Sequence, residues 1–413
     1  MSRQYTVKSA DTLSQVAARV YGDPSRWPEI WRANQSRLRS GDPNKVYPGE
    51  ILIIPEPEKA AALSGKQPDD LTIVAGGREL RILNARIIRT MDTGADAWTS
   101  RIDWEPGADP ELDRIIRPYG YPNAAAYIGG ELLVNGLLYT VEPELTTTGR
   151  TVALTGYSFT ADAVDSTLKP PYERNNITLE QLAAEVVEPL GIRAIFRADT
   201  GGPFARVTAN EGDTIFDHLA HLAAQRGILV SSTTAGDLLF WKAATDSPLV
   251  GTIEEGQPLA TGYRAKYDGR RRFNAYKCIT ADAGASLDWE ADANPKTQIA
   301  LDNAVPRSRF LTFKTDDTTP GNILNAAEWR RSRQTVEALT MSFPVPGWHA
   351  PDGSVWRENT RVSIVSRTLG VPRGFTFLIR SVEYILENNR REAVLSLVPP
   401  QVYTGETMGD IWK

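Results

Sequence analysis

His218 and His221 stand three positions apart in a segment with helical periodicity, which places both imidazoles on one face, close enough to share a metal ion. A catalytic zinc needs a third protein ligand, and none is announced. There is no His-Glu-x-x-His signature, and the chain has 3 histidines (the third is His349) and 1 cysteine, Cys278. The expectation is no metal site and no cofactor, with the two histidines as ordinary helix residues. Cys278, in Ala275-Tyr-Lys-Cys-Ile279, falls where an alternating strand points inward and reads as a small core residue. Phosphate-cradling glycine loops and nucleophile elbows are absent. With 51 acidic residues some carboxylate pair is always available, but an acid–base dyad is a matter of geometry, which spacing alone does not supply. No catalytic residue is assigned, and the chain is not expected to be an enzyme.

Two basic clusters remain, Arg270, Arg271 and Arg272 in one, and Arg330, Arg331 and Arg333 in the other. They read as a solvated turn and a solvated helix face, or as an ion-pairing surface toward another subunit or an acidic partner. Neither interleaves aromatic residues as a single-strand nucleic-acid platform does. The whole chain has 46 basic against 51 acidic residues, a formal net charge of −5, which argues against nucleic acid as the main partner. No apolar run approaches the roughly 18 residues of a membrane span, and the first residues lack a signal peptide's apolar stretch, so a product made in the cytoplasm is expected.

The elements begin with Gln4-Tyr-Thr-Val-Lys8, a short alternating strand, followed by Asp11 as the expected cap of a helix. Leu13, Val16, Ala17, Val20 and Tyr21 form that helix's apolar face, and Gly22 is expected to stop it. Asp23 or Ser25 is expected to cap a second helix that buries Trp27, Ile30 and Trp31 and ends at Asn34. Ile51-Leu-Ile-Ile54 then supplies a strand able to pair with the first, giving the order β-α-α-β.

That order, with Tyr5-Thr-Val7, Asp11-Thr-Leu13, Tyr21-Gly22, Asn34, Tyr47-Pro-Gly49 and Ile54-Pro55 in it, resembles a LysM module. Many such modules bind N-acetylglucosamine polymers, and the resemblance places the groove at Ala10, Asp11, Thr12, Leu13, Asn44, Lys45, Val46, Tyr47 and Pro48. The same residues also read as cap, turn and core of a domain too small to spare many apolar side chains. The stretch Tyr21-Gly-Asp-Pro-Ser-Arg-Trp27, with Ile30 and Asn34, is similar to the LysM variant of phage tail proteins, which implies docking to protein.

Beyond a linker at 57–70, strand patterns dominate to about residue 157, with Asn135-Gly136 as the expected two-residue hairpin turn. A capping box at Thr178-Leu-Glu-Gln181 opens one helix that ends before Gly191, and a second helix is expected from Asp213 to Gly227. Strands return over 261–281 and 360–398, separated by a helix from Ile323 to about Gln334. The tail Gln401 to Lys413, with Tyr403 and Trp412, shows no packing pattern of its own and is expected to be available to a partner. The fold class expected is mainly β with α+β parts.

The body resembles the baseplate hub proteins of contractile phage tails of the Mu-like type, relatives of the hub part of type VI secretion VgrG proteins. The carrying residues are the runs Thr155 to Asp165, Glu211 to Val230 with Gly236-Asp-Leu-Leu-Phe240, Arg272-Phe-Asn-Ala-Tyr276, and Gly347-Trp348, Asp352-Gly353, Trp356, Asn359 and Leu378-Ile-Arg-Ser381 through Pro399. The resemblance implies a LysM module at 1–56, a first tube-like β-barrel domain at 71–170, small α/β domains at 171–260, a second tube-like barrel at 261–398 and a tail at 399–413. It also implies a homotrimeric ring in the virion tail baseplate, between the tail tube protein and a central spike protein, with tape-measure or wedge proteins, or peptidoglycan, as further partners of the LysM module. A cell-wall-binding or wall-degrading protein, and the hub of a bacterial contractile injection system, are the competing readings.

Overall fold

The computed structural model describes residues 3–9, 11–21, 26–35, 37–40, 42, 43, 45–54, 66–147, 149–243, 246–259, 262–280, 297–315, 320–371 and 375–403. The chain is mainly β, as its patterning predicts.

In the N-terminal unit the strands Arg3–Thr6 and Ile51–Ile54 pair antiparallel around the helices Leu13–Tyr21 and Trp27–Asn34. Val7, Leu13, Val16, Ala17, Ile30, Trp31, Leu38, Leu52 and Ile54 form its core. The first helix is capped by Thr12 and not by Asp11. The Thr12 hydroxyl accepts from the Gln15 backbone N–H at 3.3 Å, and the Gln15 side chain accepts from the Thr12 N–H at 3.2 Å. Asp11 is occupied elsewhere, accepting from the Lys8 N–H at 2.7 Å, the Tyr5 hydroxyl at 2.9 Å and Arg19. Asn34 ends the second helix as expected and ties it to the sheet: its amide donates to the carbonyls of Ile30 and Ile53, and its Oδ1 accepts the Ile53 N–H, each at 2.7 Å. Gly22, Asp23 and Ser25 lie outside the described residues.

Thirteen strands of the body form one hydrogen-bonded sheet. One half runs through Ile82–Thr90, Ala97–Asp103, Gly149–Ser158, Glu131–Thr146, Asn123–Ile128, Leu71–Ala75 and Arg78–Glu79. The other runs through Thr376–Glu387, Arg390–Val398, Leu339–Pro346 and Arg264–Tyr267, with Arg361–Val365 beside Thr376–Glu387 and Leu249–Glu254 parallel to Arg361–Val365. The halves meet where Ile82–Thr90 pairs antiparallel with Thr376–Glu387, from Ser381 opposite Thr90 to Leu386 opposite Ala85. A single hydrophobic core, including Trp98, Trp348, Trp356 and Tyr384, runs under both halves.

Asn135-Gly136 is not a turn. Both residues lie inside the strand Glu131–Thr146, where a Cβ on Gly136 would overlap the Tyr157 carbonyl oxygen, so close backbone approach is what requires the glycine. Two-residue turns with positive φ at both central positions fall instead at Gly76-Gly77, Gly129-Gly130 and Asn388-Asn389.

Two helices between the halves pack on a small sheet. Thr178 and Gln181 form the expected capping box on Leu179–Val187, and Thr214, one residue past the expected Asp213, caps Ile215–Ala224. Leu182, Val187, Leu219 and Leu222 meet Leu238 and Phe240 of the strand Leu238–Trp241, which pairs with Leu229–Ser232. A further unit leaves the large sheet after Arg264–Tyr267 and returns at Leu339–Pro346. In it the strands Thr297–Leu301, Ala275–Thr280 and Phe310–Thr315 pack on the helix Pro320–Ala338, which is longer than the expected Ile323–Gln334. Cys278 is buried there as expected, and burial pushes its thiol up to about 12.

The chain end departs from expectation. Pro400–Tyr403 forms a 3-10 turn, and Tyr403 is 3% exposed, docked within the chain and not offered to a partner. Trp412 lies outside the described residues.

Candidate functional site

The features that bear on function are two internal junctions, one between the halves of the body and one between the N-terminal unit and the body.

At the first junction Arg89, on Ile82–Thr90, is 3% exposed and donates to Glu358 Oε1 from Nη2 at 2.6 Å and from Nε at 3.0 Å. Its Nη1 donates to Asp96 at 2.9 Å and to the Leu133 carbonyl. Burial opposes the guanidinium's charge, but the two carboxylates outweigh it and hold its pKa above the usual arginine value. Burial pushes Asp96 up to about 7 against the pull of Arg89. Glu358 stays below the usual carboxylate range because Arg89 overcomes its desolvation, so it is the carboxylate that balances Arg89.

Close by, Asp92 gathers groups from the other half. Its carboxylate accepts from Arg380 Nε at 2.9 Å, the Tyr403 hydroxyl at 3.1 Å and Arg333. Desolvation alone would raise its pKa, and the two guanidinium groups reverse that and lower it. The helix Pro320–Ala338, the strand Thr376–Glu387 and the last turn of the described chain are thereby tied to one carboxylate of the first half.

At the second junction the helix Trp27–Asn34 turns its Trp31 and Arg32 toward the body. Trp31 Nε1 donates to the Pro189 carbonyl at 3.3 Å and Arg32 Nη2 to the Gly191 carbonyl at 2.7 Å. The Arg32 guanidinium lies 3.5 Å from the centre of the Phe159 ring, and burial pushes its pKa down to about 10. Gly191, at φ +73°, leaves the space: a Cβ there would come within 2.7 Å of Trp31 Cδ1.

Of the expected groove residues, Asp11 and Leu13 are buried, one as a loop clamp and the other in the core, while Thr12 caps the helix. Lys45, Tyr47 and Pro48 are exposed with the unit docked, and Val46 is half-buried against the core. Ala10 and Asn44 lie outside the described residues. The basic clusters do not form one surface. Arg333 points inward to Asp92, and Arg331 is buried with its Nη1 on the Leu301 carbonyl at 2.9 Å. Arg272 pairs with Asp302 at 2.6 Å, Arg270 with Asp268 at 2.7 Å, and Arg330 lies 5.8 Å from the Phe313 ring centre. Arg270, Arg271 and Arg330 are the outward members. Charge runs do not reveal which arginines turn inward, since their carboxylate and carbonyl partners are distant in sequence. His218 is buried on its helix, and among the described residues no group of three or more His, Cys, Asp or Glu side chains could hold a metal. No helix of the described residues is long and apolar enough to cross a membrane.

Residues 5–55 match the LysM domain, residues 160–242 match the second domain of the gp44-like baseplate hub protein, and residues 319–406 match the fourth domain of the Mu phage baseplate assembly protein GpP. The chain joins a LysM domain to Mu-type baseplate hub domains. The chain is 26% identical over 247 residues to baseplate hub protein gp44 of Escherichia phage Mu, a match that takes in 57% of this chain and 64% of the relative, just under two thirds of its length. Among solved structures, the 43 kDa tail protein of prophage MuSo2 from Shewanella oneidensis is similar at a TM-score of 0.68 and 26% identity, over 81% of this chain and 99% of that one. The E. coli c3393 protein, a component of the type VI secretion system, shares the fold at a TM-score of 0.52 and 11% identity, over 83% of this chain and 80% of that one. By their descriptions the first two relatives are a baseplate hub protein and a tail protein.

Proposed function

We propose that this chain is a structural baseplate hub of a contractile phage tail, forming a trimeric ring that adapts a hexameric tail tube to a trimeric central spike. The observation that carries the reading is the fusion of two sheet halves across Ile82–Thr90 and Thr376–Glu387, locked by the buried Arg89–Glu358 pair and the half-buried Asp92–Arg380 pair. On this reading each half is a tube-like barrel domain. Three chains then present six such domains to the tube and a three-fold face to the spike, and ring closure covers sheet edges that would otherwise be open to aggregation. A hub that bears load needs its two tube-facing domains held at a fixed spacing, and buried charge pairs set one register where apolar contact alone would permit sliding. The role has no catalytic step. The product acts in the virion baseplate after synthesis in the host cytoplasm.

The docked LysM domain favours a protein-docking use of that module, since Trp31 and Arg32 already engage the body. Tape-measure or wedge proteins are its candidate outer partners. A second reading, peptidoglycan binding, rests on the exposure of Lys45, Tyr47 and Pro48. The likeness to a type VI component leaves a bacterial injection-system hub as the third, with the same mechanics. Mass spectrometry of purified tail particles tests the proposal: about three copies of this chain per tail support it, and absence from the particle contradicts it. A sacculus pull-down tests the second reading, which requires retention that Tyr47→Ala removes.

A further inference from the structure

Where the first half, the small domain and Glu358 of the second half come together, there is a cleft of about 400 Å³. Arg89, Met91 and Glu358 line one side, and Arg197, Ser231 to Thr234, Trp241 and Lys242 line the other. Its charges do not cancel. Arg89 is matched by Glu358, but the side chains of Arg197 and Lys242 are exposed and have no hydrogen-bond, ion-pair or ring partner among the described residues. Neither lies in a basic run, so charge patterning along the chain does not single them out. Ser231 Oγ accepts from Trp241 Nε1 at 3.0 Å, which leaves its own proton to donate. One feature runs the other way. Both Arg89 contacts to Glu358 fall on Oε1, and Glu358 Oε2 is buried without a hydrogen-bond partner among the described residues.

A free phosphate or sulfate would satisfy Arg197 and Lys242 but meet the Glu358 carboxylate as a like charge. A ligand that suits the whole cleft carries anionic groups together with an N–H donor. An extended peptide with acidic side chains has both. We infer that this cleft binds an acidic peptide segment of a partner protein, its carboxylates on Arg197 and Lys242 and a main-chain N–H on Glu358 Oε2. The seat adjoins the seam between the halves, so an occupant also contacts the residues that fix their spacing. The inference takes from the proposed hub role only that the occupant is a protein, and its test uses the isolated full-length chain without any particle.

The experiment is fluorescence anisotropy with a labelled eight-residue peptide of alternating Glu and Ser, compared with its Gln and Ser counterpart. Binding of the acidic peptide, at least about tenfold weaker for the neutral one and weakening as salt rises, is expected. The double variant Arg197→Glu, Lys242→Glu should lose at least about tenfold in affinity while keeping the wild-type melting curve, because both side chains are exposed and unpaired. Arg270→Glu with Arg271→Glu changes net charge equally at a distant surface and should bind as wild type. Equal binding of the two peptides, no binding of either, or equal losses in the two double variants would overturn the inference. None of these outcomes depends on whether the chain forms a ring.

Discussion

Arg89 Nη2 and Glu358 Oε1 lie 2.6 Å apart across the seam of the body, 269 positions apart in the chain. A pair this buried has given up its hydration, so its value lies in geometry: neither group finds an equivalent partner if the halves shift. Removing Arg89 strands Glu358 and Asp96 together, whereas removing Glu358 leaves Arg89 on Asp96. Arg89→Met should destabilise the protein by about 3–5 kcal/mol, and adding Glu358→Gln should recover part of that loss. Chemical denaturation of the two single variants and the double variant measures the coupling, and strict additivity would remove the seam's claimed role.

Asp92 predicts an acid dependence. Its folded pKa is lowered by Arg333 and Arg380, so its stabilisation is fully present above the ordinary aspartate value near 3.8 and is lost as pH falls through the folded value. Asp92→Asn should lower stability at pH 7 and flatten the decline of stability below about pH 4. Melting curves from pH 2.5 to 7 for both proteins check this. The contrary result is a pair of stability profiles, wild type and variant, that stay parallel throughout that range.

Gly136→Ala should be among the most damaging single changes in the body, because its Cβ would overlap the Tyr157 carbonyl oxygen and force two paired strands apart. A loss of several kcal/mol or outright insolubility is expected, at or beyond the upper end of ordinary overpacking, roughly 3 kcal/mol. Gly262→Ala, where a Cβ meets nothing within 4 Å, is the control and should be tolerated. A soluble Gly136→Ala protein with a wild-type melting temperature would contradict the packing described.

Arg32→Ala should loosen the LysM domain without unfolding it, since Arg32 belongs to the contact with Gly191 and Phe159 and not to the LysM core. A desolvated cation–π contact contributes about 2 kcal/mol. Hydrogen exchange at Leu190 and Gly191 should rise in the variant while exchange in Leu13–Tyr21 is unchanged. Equal protection in the two proteins would mean that Arg32 does not hold the domain.

What the sequence discloses divides along a physical line. Local rules are legible: the β-α-α-β order, the Thr178 and Gln181 capping box, buried Cys278 and the mainly β body all follow from periodicity and caps within a few residues. Expectation fails where a distant partner decides the outcome. Asn135-Gly136 has turn chemistry, but the neighbouring strand at Tyr157 makes the glycine a point of close approach. Asp11 has the composition of a cap, yet Tyr5, Lys8 and Arg19 recruit it, and Thr12 caps in its place. Arg331 and Arg333 look like a solvated face until Leu301 and Asp92 turn them inward. The Trp31 and Arg32 contact has one faint signal, an arginine beside a tryptophan that the helix's apolar spacing already commits to the small core.

The most direct test of the hub reading is the solution mass of the purified full-length chain, by light scattering over a wide range of concentrations. A closed ring predicts a mass of about three subunits of 45.5 kDa, reached with rising concentration and then constant. A single-subunit mass at every concentration, or a mass that keeps growing without a plateau, would contradict it.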